Sequence, residues 1–358
     1  MTPPRIPWLS WSCVSVALAL VAFGALATPP AIQVTQGVPT GSMPKGVAIS
    51  PDGTRLYVAN YGQLDRNNVT VFDAADLRRL ATIDVPGIVV ESVVSADGRT
   101  LYVSNFRRSS VQFIDLQDNR VVREVRTTGR NPKIVVLSPD GRRLFAANWS
   151  SQNVTEIDPA TGQVVRTLHA GDNPRGMAIT RAGTLYVANF NGHTIDVFAG
   201  ANLDQHHRID HVCRIPRHLV LSPDDATLYV SCLSMGQVIA MNLQTERVEH
   251  RVRVGSMPKA IDRSPDGRYL YSANYGGSSV SVVDTTDWTV RTLDVPLMDH
   301  ASGIVSARSG VRFFVTGWYD DHLYAVGLAS TGPTFSITPS QRATTLQRRE
   351  FHRLNPAE

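Results

Sequence analysis

Five cationic side chains each follow a proline directly and recur along the sequence. They are Lys45, Lys133, Arg175, Arg217 and Lys259. If the chain folds so that equivalent positions converge, five like charges meet, and their repulsion is costly unless something negative answers it. The pattern therefore indicates an anion site for a carboxylate, a phosphate or an acidic loop of a partner. The alternative is that repetition alone placed the cations there, each bonding a backbone carbonyl or an aspartate of a neighbouring unit.

Aromatic residues stand at a second recurring position. They are Tyr61, Phe106, Trp149, Phe190, Tyr275 and Trp318. Rings beside cations can stack on a planar ligand or on nucleic-acid bases. The alternative is a packing role, in which the rings wedge between neighbouring units. We assign Tyr61, Trp149 and Trp318 to a candidate ligand site together with the five cations.

Three residues with acid–base chemistry depart from the repeated pattern. Glu91 is aligned with the cation of the second unit, His218 follows Arg217, and His300 lies beside Asp299 near the start of the last unit. A general acid or base must lie within hydrogen-bond reach of the group it serves. Glu91, His218 and His300 are therefore the candidates for catalysis, although none is assigned a catalytic role. Glu91 also joins the candidate ligand site.

Histidines cluster at His206, His207 and His211, and imidazole suits zinc, copper or iron. Their spacing matches no known ligand pattern, so no metal is assigned and a polar outer strand is the competing interpretation. Cys213 and Cys232 fall toward the same end of one predicted hairpin, where either a disulfide or two buried thiols can form. Haem-attachment, phosphate-loop, serine-elbow and dinucleotide-binding motifs are absent from the sequence, so we predict no cofactor.

Repeated strands must position these residues. The phrase "LYVAN" ending at Asn60 returns in variants that end at Asn105, Asn148, Asn189, Cys232, Asn274 and Gly317. The spacing defines seven units of about 43 residues, and internal repeats of this length indicate solenoids, propellers or arrays. Each unit has the pattern of four short strands, with an Asp-Gly turn after the first strand. Four antiparallel strands repeated radially predict an all-β, seven-bladed β-propeller.

The two ends of the repeat region complement each other. The last unit shows three clear strands, ending in "HLYAVGL", and the segment "AIQVTQGVPTG" before the first unit matches a fourth strand. We therefore expect the N-terminal strand to close the last blade, which removes exposed sheet edges. Because dividing the chain would break the ring, we predict one domain over residues 28–338.

The phrase "SPDGTRLYVAN" and its copies resemble the YVTN-repeat β-propellers, over essentially the whole chain that follows the N-terminal segment. The resemblance implies the propeller fold and a place outside the cytoplasm, since that family is mostly extracytoplasmic. More distantly, the repeats are similar to the haem-binding propeller of nitrite reductases, to sugar lactonases and to the propeller subunits of amine dehydrogenases. No catalytic motif of these proteins matches this sequence, so the resemblance implies no catalytic residue.

Residues 1–27 have the pattern of a signal peptide. Arg5 supplies a positive charge, an apolar run extends from about Val14 to Phe23, and "ALA" ending at residue 27 offers a cleavage site. An uncleaved membrane anchor is the alternative, although the apolar run is short for a span. Export would place the protein in a periplasm or at the cell surface, and residues 339–358 are expected to form a polar, basic tail.

Three functions follow from these patterns, and we favour the first. It is an exported, non-enzymatic and monomeric propeller that binds a partner protein or a small anionic ligand at the cationic mouth of its central channel. The second is a periplasmic enzyme or enzyme subunit, either a lactonase-like hydrolase or a protein associated with a redox cofactor. The third is binding of single-stranded nucleic acid, although the net charge of +4 does not by itself imply nucleic acid.

Overall fold

The computed structural model describes residues 32–295 and 297–328. The predicted signal peptide, residues 1–27, and the predicted tail, residues 339–358, lie outside the described residues and stay predictions. Within the two described ranges, no helix is long and apolar enough to cross a membrane.

Short strands account for most of the described chain. In chain order they are β1 (Ile32–Pro39), β2 (Pro44–Ile49), β3 (Arg55–Asn60), β4 (Val69–Asp73), β5 (Arg79–Ile83), β6 (Val89–Val94), β7 (Thr100–Asn105), β8 (Ser110–Asp115), β9 (Arg120–Arg126), β10 (Pro132–Leu137), β11 (Leu144–Asn148), β12 (Asn153–Ile157), β13 (Val164–His169), β14 (Pro174–Ile179), β15 (Leu185–Asn189), β16 (Thr194–Ala199), β17 (Gln205–Ile209), β18 (Pro216–Leu221), β19 (Thr227–Cys232), β20 (Gln237–Asn242), β21 (Arg247–Arg253), β22 (Pro258–Arg263), β23 (Tyr269–Asn274), β24 (Ser279–Asp284), β25 (Val290–Asp294), β26 (Ala301–Ser306), β27 (Phe313–Gly317) and β28 (His322–Leu328). Two single-turn 3₁₀ helices, Leu233–Met235 and Tyr275–Gly277, follow β19 and β23.

The strands form seven four-stranded antiparallel sheets, each of which is one blade. Blades one to six take four consecutive strands each, from β2–β5 to β22–β25, and blade seven combines β26, β27 and β28 with β1. The first strand of each blade contacts the first strands of both neighbours, from β2 against β6 round to β26 against β2. The predicted all-β, seven-bladed propeller is therefore confirmed.

The N-terminal strand closes the ring, as the sequence predicts. Strand β1 pairs antiparallel with β28, so that Val34 lies opposite Val326 and Pro39 lies opposite His322. Blade seven thus takes its strands from both ends of the repeat region, and the outer edge of β28 is paired instead of exposed.

The hydrophobic core lies between the blades. The second strand of a blade is covered on both sides, and in β3 every residue after Arg55 is buried. The fourth strand is mostly exposed, and in β21 Val252 is the one fully buried position. Between blades one and two, Tyr57 and Val71 share one core cluster with Leu101 and Ile114. Radial stacking of blades therefore accounts for the repeated apolar phrase, because its residues pack on two neighbours at once.

An Asp-Gly turn joins the first and second strands of blade one. Gly53 has a φ of 75°, a left-handed conformation that glycine adopts without a Cβ clash. Asp52 Oδ1 accepts a hydrogen bond from the Thr54 N–H at 3.0 Å. Bonds from the Ser50 hydroxyl and from this N–H lower the pKa of Asp52. We call the end of the propeller with these turns the turn end, and the opposite end, which carries Tyr61, Trp149 and Trp318, the aromatic end.

At the aromatic end, the asparagine that ends the second strand ties the blade to the preceding loop. Asn60 Oδ1 accepts from the Gly41 N–H at 3.1 Å, and Asn60 Nδ2 donates to Thr70 Oγ1 at 2.9 Å. In blade five this position is Cys232, which forms a disulfide with Cys213 in the preceding loop, with the two Cα atoms 5.9 Å apart. A covalent bond there takes the place of the hydrogen bonds that Asn60 makes in blade one.

Candidate functional site

A register shift opens the first strand of every blade, and the cations stand in it. In blade one Pro44 pairs with Asn60, but the next paired residue is Val47, opposite Val58. Lys45 therefore falls in a β-bulge, which re-aims a side chain away from the regular alternation of a strand. The same shift follows the prolines that precede the other four cations, Pro132, Pro174, Pro216 and Pro258.

The register corrects the predicted position of Glu91. In blade two Val89 pairs with Asn105, as Pro44 pairs with Asn60 in blade one, so Val90 takes the place of the cation. Glu91 lies one residue further along the strand. It is therefore equivalent to His218 of blade five, because Pro216 pairs with Cys232. Two of the three acid–base candidates thus occupy the same level of the channel.

The five cations are buried, and this corrects the expectation of an open cationic mouth. Lys45 and Lys133 are 1% exposed, Lys259 is 7% exposed, and Arg175 and Arg217 are 8% exposed. Charges at such depth interact strongly with one another and with any ligand, because little water screens them. We call these five residues the cation ring.

Aromatic rings cover the cation ring. Lys45 Nζ lies 4.4 Å from the centre of the Tyr61 ring and 5.2 Å from that of Trp318. Lys259 Nζ lies 4.1 Å from the same Trp318, which therefore serves two cations. Lys133 Nζ lies 4.2 Å from the Trp149 ring. Each contact of this kind contributes about 0.5–2 kcal/mol, the larger values applying where water is excluded.

The aromatic rings also pack on each other across blade boundaries. The ring centres of Tyr61 and Trp318 are 5.5 Å apart, and those of Trp149 and Phe190 are 5.0 Å apart. Tyr61 and Trp318 are 1% exposed. This geometry matches the packing role considered for the sequence, and it leaves these two faces covered and not open as stacking platforms for bases.

Several buried polar atoms at this end have no hydrogen-bond partner among the described residues, and Trp318 Nε1 and Ser302 Oγ are two of them. Ser302 takes the cation position of blade seven, because Ala301 pairs with Gly317. An indole N–H can only donate, as ammonium and guanidinium groups do. A buried donor without an acceptor costs about 1–3 kcal/mol.

Some of the cation ring also joins neighbouring blades. Arg217 Nη1 donates to the Lys259 carbonyl in the next blade. The Lys45 carbonyl accepts from Thr316 Oγ1 of blade seven at 3.2 Å, and the Lys133 carbonyl accepts from Ser104 Oγ of blade two at 3.3 Å. The carbonyls thus hold the backbone of the ring in place. Arg217 gives the clearest support to the alternative considered for the sequence, in which each cation bonds a backbone carbonyl or an aspartate of a neighbouring unit.

Glu91 lies within electrostatic reach of most of the cation ring. Burial raises the pKa of the Glu91 carboxyl, whereas Lys45, Arg175, Arg217 and Lys259 act to lower it. A Cβ at position 46 would collide with the Glu91 carboxylate, so only glycine fits beside it. Glu91 is therefore an internal acid packed against the first strand of blade one.

His218 is held neutral. Burial lowers the pKa of its imidazole to about 4, and the charges of Arg217 and Arg175 act in the same direction. An interaction of the ring with the Ile261 backbone opposes this shift. Nδ1 is buried and has no hydrogen-bond partner among the described residues.

A channel of about 640 Å³ runs along the first strands of the blades. Glu91 and His218 line it near the aromatic end, and Arg181, Asp225 and Arg308 line it at the turn end. Between them the wall combines aliphatic side chains with polar ones, and the aliphatic residues include Val47, Ile134, Met177, Leu219, Ile261 and Ile304. Ser92, Asp262 and Ser306 also line it. The channel thus leads from the turn end toward the level just below the cation ring.

The third acid–base candidate, His300, lies apart from the other two. His300 Nδ1 is 2.6 Å from Asp299 Oδ1, and the ring packs against Tyr275 and Tyr319, with centres 4.6 and 4.9 Å away. It belongs to the aromatic end and does not line the channel. Glu91 and His218 therefore share the channel without His300.

The histidine cluster near residue 206 makes separate contacts. His206 Nε2 lies 3.1 Å from Asp196 Oδ1, and His207 Nε2 lies 2.6 Å from Glu246 Oε1. His211 follows the outer strand β17 with a positive φ of 59°. Among residues 32–295 and 297–328, no group of three His, Cys, Asp or Glu side chains is arranged to hold a metal ion.

Sequence reasoning identified the cations and the rings but missed part of the site. It did not assign Ser302, or the indole N–H of Trp318, as donors. The signal for Ser302 was present, because this residue breaks the Pro-Lys pattern in an otherwise aligned strand. The sharing of Trp318 by Lys45 and Lys259 gave no signal, because it depends on how blades six, seven and one meet.

The fold and this central site define a seven-bladed β-propeller with a buried, cation-rich axis. A family model described as "YNCE-like beta-propeller" matches residues 100–308, which is more than half of the chain. The chain therefore belongs to that family, and this agrees with the resemblance to the YVTN-type propellers seen in its repeats.

Two individual proteins are also similar. Antigen Lp49 of Leptospira interrogans serogroup Icterohaemorrhagiae serovar copenhageni is 26% identical over 263 residues, which are 67% of this chain and 48% of that protein. The match thus spans about half the length of this curated relative. Hydrazine synthase of Kuenenia stuttgartiensis superposes with a TM-score of 0.71 at 20% identity, covering 82% of this chain and 97% of that chain. At that identity the likeness concerns the fold alone.

Proposed function

We propose that the protein binds a small anion inside the propeller, within the cation ring. The observation that carries this proposal is the convergence of five buried cations on one register position around the axis. An anion at the axis would answer several of these charges at once. It would also accept from the buried donors Trp318 Nε1 and Ser302 Oγ, which have no partner among the described residues.

The repulsion between neighbouring cations of the ring indicates how much free energy a bound anion could contribute. Lys45 Nζ and Lys259 Nζ lie 5.2 and 4.1 Å from the Trp318 ring, so the two ammonium groups are close neighbours. At an effective dielectric constant of about 20, two like charges roughly 10 Å apart repel by about 2 kcal/mol. Binding of an anion near both adds an attraction to each ammonium group that offsets this repulsion.

The covering of the ring favours a small anion over an acidic loop of a partner protein. Tyr61 and Trp318 close the ring from the aromatic end and are 1% exposed. The channel of about 640 Å³ leaves a route from the turn end for a small molecule. The burial of these rings also counts against single-stranded nucleic acid, which needs exposed rings for stacking.

We further propose that the protein is an exported binding protein without enzymatic activity. The signal-peptide pattern of residues 1–27 supports export, and so does the disulfide between Cys213 and Cys232, since disulfides persist in oxidising compartments. The name of the relative, antigen Lp49, agrees with a place outside the cytoplasm. The separation of His300 from Glu91 and His218 weighs against the enzymatic alternative.

A double variant tests the anion site. Lys45→Met with Lys259→Met removes the two ammonium groups beside Trp318 while keeping the length of the side chains. Titration calorimetry with inorganic phosphate, sulfate and a series of small carboxylates should show binding to the wild type and a loss of about 100-fold in the variant, since a hydrogen bond to a charged group contributes about 1.5–3 kcal/mol.

The matched control removes two exposed cations. Arg78→Met with Arg120→Met deletes the same charge at side chains that are 65% and 66% exposed, and it should leave the affinity unchanged. Anions that bind the folded Lys45→Met, Lys259→Met variant as tightly as the wild type would contradict the proposal. So would the absence of any anion binding to the wild type.

A further inference from the structure

We propose that a groove between blades one and two, at the aromatic end, binds an acidic segment of a partner protein. The groove has a volume of about 540 Å³, and it is lined by Leu64, Asp65, Gly87, Arg107, Arg108 and Arg126. None of these residues belongs to the cation ring or lines the channel. The inference is therefore independent of the proposed function.

One wall of the groove is a loop that is longer in blade one than in any other blade. Eight residues, 61–68, connect β3 to β4, whereas four residues connect the second and third strands of each of the other six blades, as 106–109 do in blade two. We call residues 61–68 the long loop. Because four residues suffice elsewhere, the fold does not require its length, and loops of this kind commonly carry function.

Hydrogen bonds fix the long loop against the segment that enters blade two. Asp65 Oδ1 accepts from the Gly87 N–H at 2.6 Å, and the Asp65 N–H donates to the Gly87 carbonyl at 3.2 Å. The Asn67 N–H donates to Asp84 Oδ1 at 2.8 Å. A wall that is held in place before binding loses little conformational entropy when a partner docks.

Leu64 of the long loop presents an apolar side chain in the groove. It is 44% exposed and lines the groove beside Asp65. A single exposed leucine is ordinary on a protein surface. A leucine that is held beside arginines, however, offers a contact for an apolar side chain of a partner, and burial of that contact would add to the affinity.

The opposite wall carries three arginines. Arg108 donates to both carboxylate oxygens of Glu124 at 2.8 Å. Within the described ranges, Arg107 and Arg126 make no ion pair with a carboxylate, although Arg108 and, to a lesser extent, Arg126 lower the pKa of Glu124. The groove and its ion pair thus hold three guanidinium groups and two carboxylates, those of Asp65 and Glu124, which leaves an excess of positive charge.

These groups together select an acidic peptide. The planar guanidinium group binds carboxylates through two parallel hydrogen bonds, and arginine is enriched in protein–protein interfaces. A peptide can place an acidic and an apolar side chain within a few residues, so it can meet the arginines and Leu64 at once. Single-stranded nucleic acid binds through stacking on aromatic rings, and none of the six lining residues is aromatic.

Selection from a random peptide library displayed on phage tests this proposal. The purified wild-type protein is immobilised, and an excess of the Arg107→Ser, Arg126→Ser double variant in solution removes peptides that bind elsewhere on the propeller. We expect the enriched peptides to combine Asp or Glu with a large apolar residue. Their binding should weaken as the salt concentration rises, because the charges at the groove are exposed.

Fluorescence anisotropy with the enriched peptides assigns the effect to individual residues. We expect binding about tenfold weaker in the Arg107→Ser, Arg126→Ser variant and about fivefold weaker in Leu64→Ser. Deletion of residues 64–67 leaves a loop of four residues, the length found in the other blades, and should weaken binding at least as much as Leu64→Ser. Circular dichroism would establish that each variant is folded.

The matched control is Arg78→Ser with Arg120→Ser, which removes two exposed arginines at the turn end and should leave peptide binding unchanged. The proposal is overturned if no peptide is enriched, if the enriched peptides lack acidic residues, or if they bind the folded Arg107→Ser, Arg126→Ser variant as tightly as the wild type. Phosphatidylglycerol vesicles or oligothymidylate that bind through Arg107 and Arg126, with no peptide enriched, would also overturn it and assign the groove to another class of partner.

Discussion

Both ends of the channel carry cations, but different groups of the protein contact the cations at each end. At the turn end Arg263 Nε donates to the Leu221 carbonyl at 2.6 Å, and Arg181 Nε lies 3.1 Å from Asp225 Oδ2. At the aromatic end Lys45 and Lys259 face the rings of Tyr61, Tyr275 and Trp318. Oxygen acceptors of the protein meet the arginines of the turn end, whereas at the aromatic end aromatic faces also cover the lysines, and Arg217 Nη1 donates to the Lys259 carbonyl.

This difference in contacts indicates that cations at repeated positions have two roles, one at each end of the channel. At the turn end the arginines tie blades together: Arg263 joins blade six to blade five, and Arg181 joins blade four to blade five. At the aromatic end, aromatic faces attract the cations as well, and such a face carries no net negative charge. We expect an anionic ligand to bind among these cations, and the following predictions compare that end with the turn end.

The largest effect that we expect is the loss of stability on acidification caused by His218. Its pKa falls from 6.5 to about 4 because the folded protein buries the ring beside Arg217 and Arg175. The unfolded chain therefore binds a proton that the folded protein rejects, so this contribution is fully present above about pH 6.5 and is lost as the pH falls toward 4. The lost free energy of unfolding amounts to about 3 kcal/mol.

The measurement compares pH profiles. Between pH 7.5 and 4, denaturant unfolding should show the wild type losing about 3 kcal/mol relative to His218→Phe, because Phe has no proton to gain. Replacing His207, whose side chain is 51% exposed, by Gln provides the control. Parallel wild-type and His218→Phe profiles over this range would show that the aromatic end does not impose the desolvation that we infer.

The second effect distinguishes the two ends directly. Arg263→Met removes a charged donor to the Leu221 carbonyl and should lower the free energy of unfolding by about 1–3 kcal/mol, with anion affinity unchanged. Arg175→Met at the aromatic end should do the reverse, weakening anion binding with a smaller loss of stability in the absence of anion. The exposed Arg253→Met on β21 serves as the reference for charge removal.

Denaturant unfolding and calorimetry on the same preparations would measure both quantities. If Arg263→Met weakens anion binding as much as Arg175→Met does, the two ends do not differ in function, and the proposed distinction between them is wrong. Equal losses of stability in the two variants, with no change in affinity, would assign both arginines to blade packing alone.

The sequence predicts the fold more fully than it predicts this difference. The repeated phrase, the turn chemistry and the N-terminal strand suffice for seven blades and their closure, because those features are local and periodic. The position of Glu91 was wrong by one residue, since blade two lacks the proline that marks the bulge in blade one. A shift of one residue changes which neighbours a side chain meets.

The burial of the cation ring could not be predicted from the sequence either. The proline before Lys45 marks its place in the strand, but the sequence does not state that Tyr61 and Trp318 fold over it. Lys45 and Trp318 are far apart in the chain and meet through closure of the ring. The burial of Nδ1 of His218 likewise depends on how the blades pack around the axis, which the sequence does not state.

The smallest effect concerns Glu91, the acid beside the cations at the aromatic end. When ionised, its carboxylate competes with a bound anion for Lys45, Arg175, Arg217 and Lys259. Glu91→Gln keeps the shape that fits against Gly46 and removes the charge. It should therefore tighten anion binding about fivefold at pH 7.5, since the loss of one partly screened like charge contributes about 1 kcal/mol.

The pH dependence sharpens this last test. Burial raises the pKa of Glu91, so the wild-type carboxyl takes up its proton at a higher pH than an exposed one and loses its repulsion of the anion. The advantage of the Gln variant should therefore shrink as the pH is lowered. Glu249→Gln on the exposed outer strand controls for the loss of a negative charge elsewhere. An affinity that stays the same or falls in Glu91→Gln would mean that Glu91 supports the anion instead of competing with it.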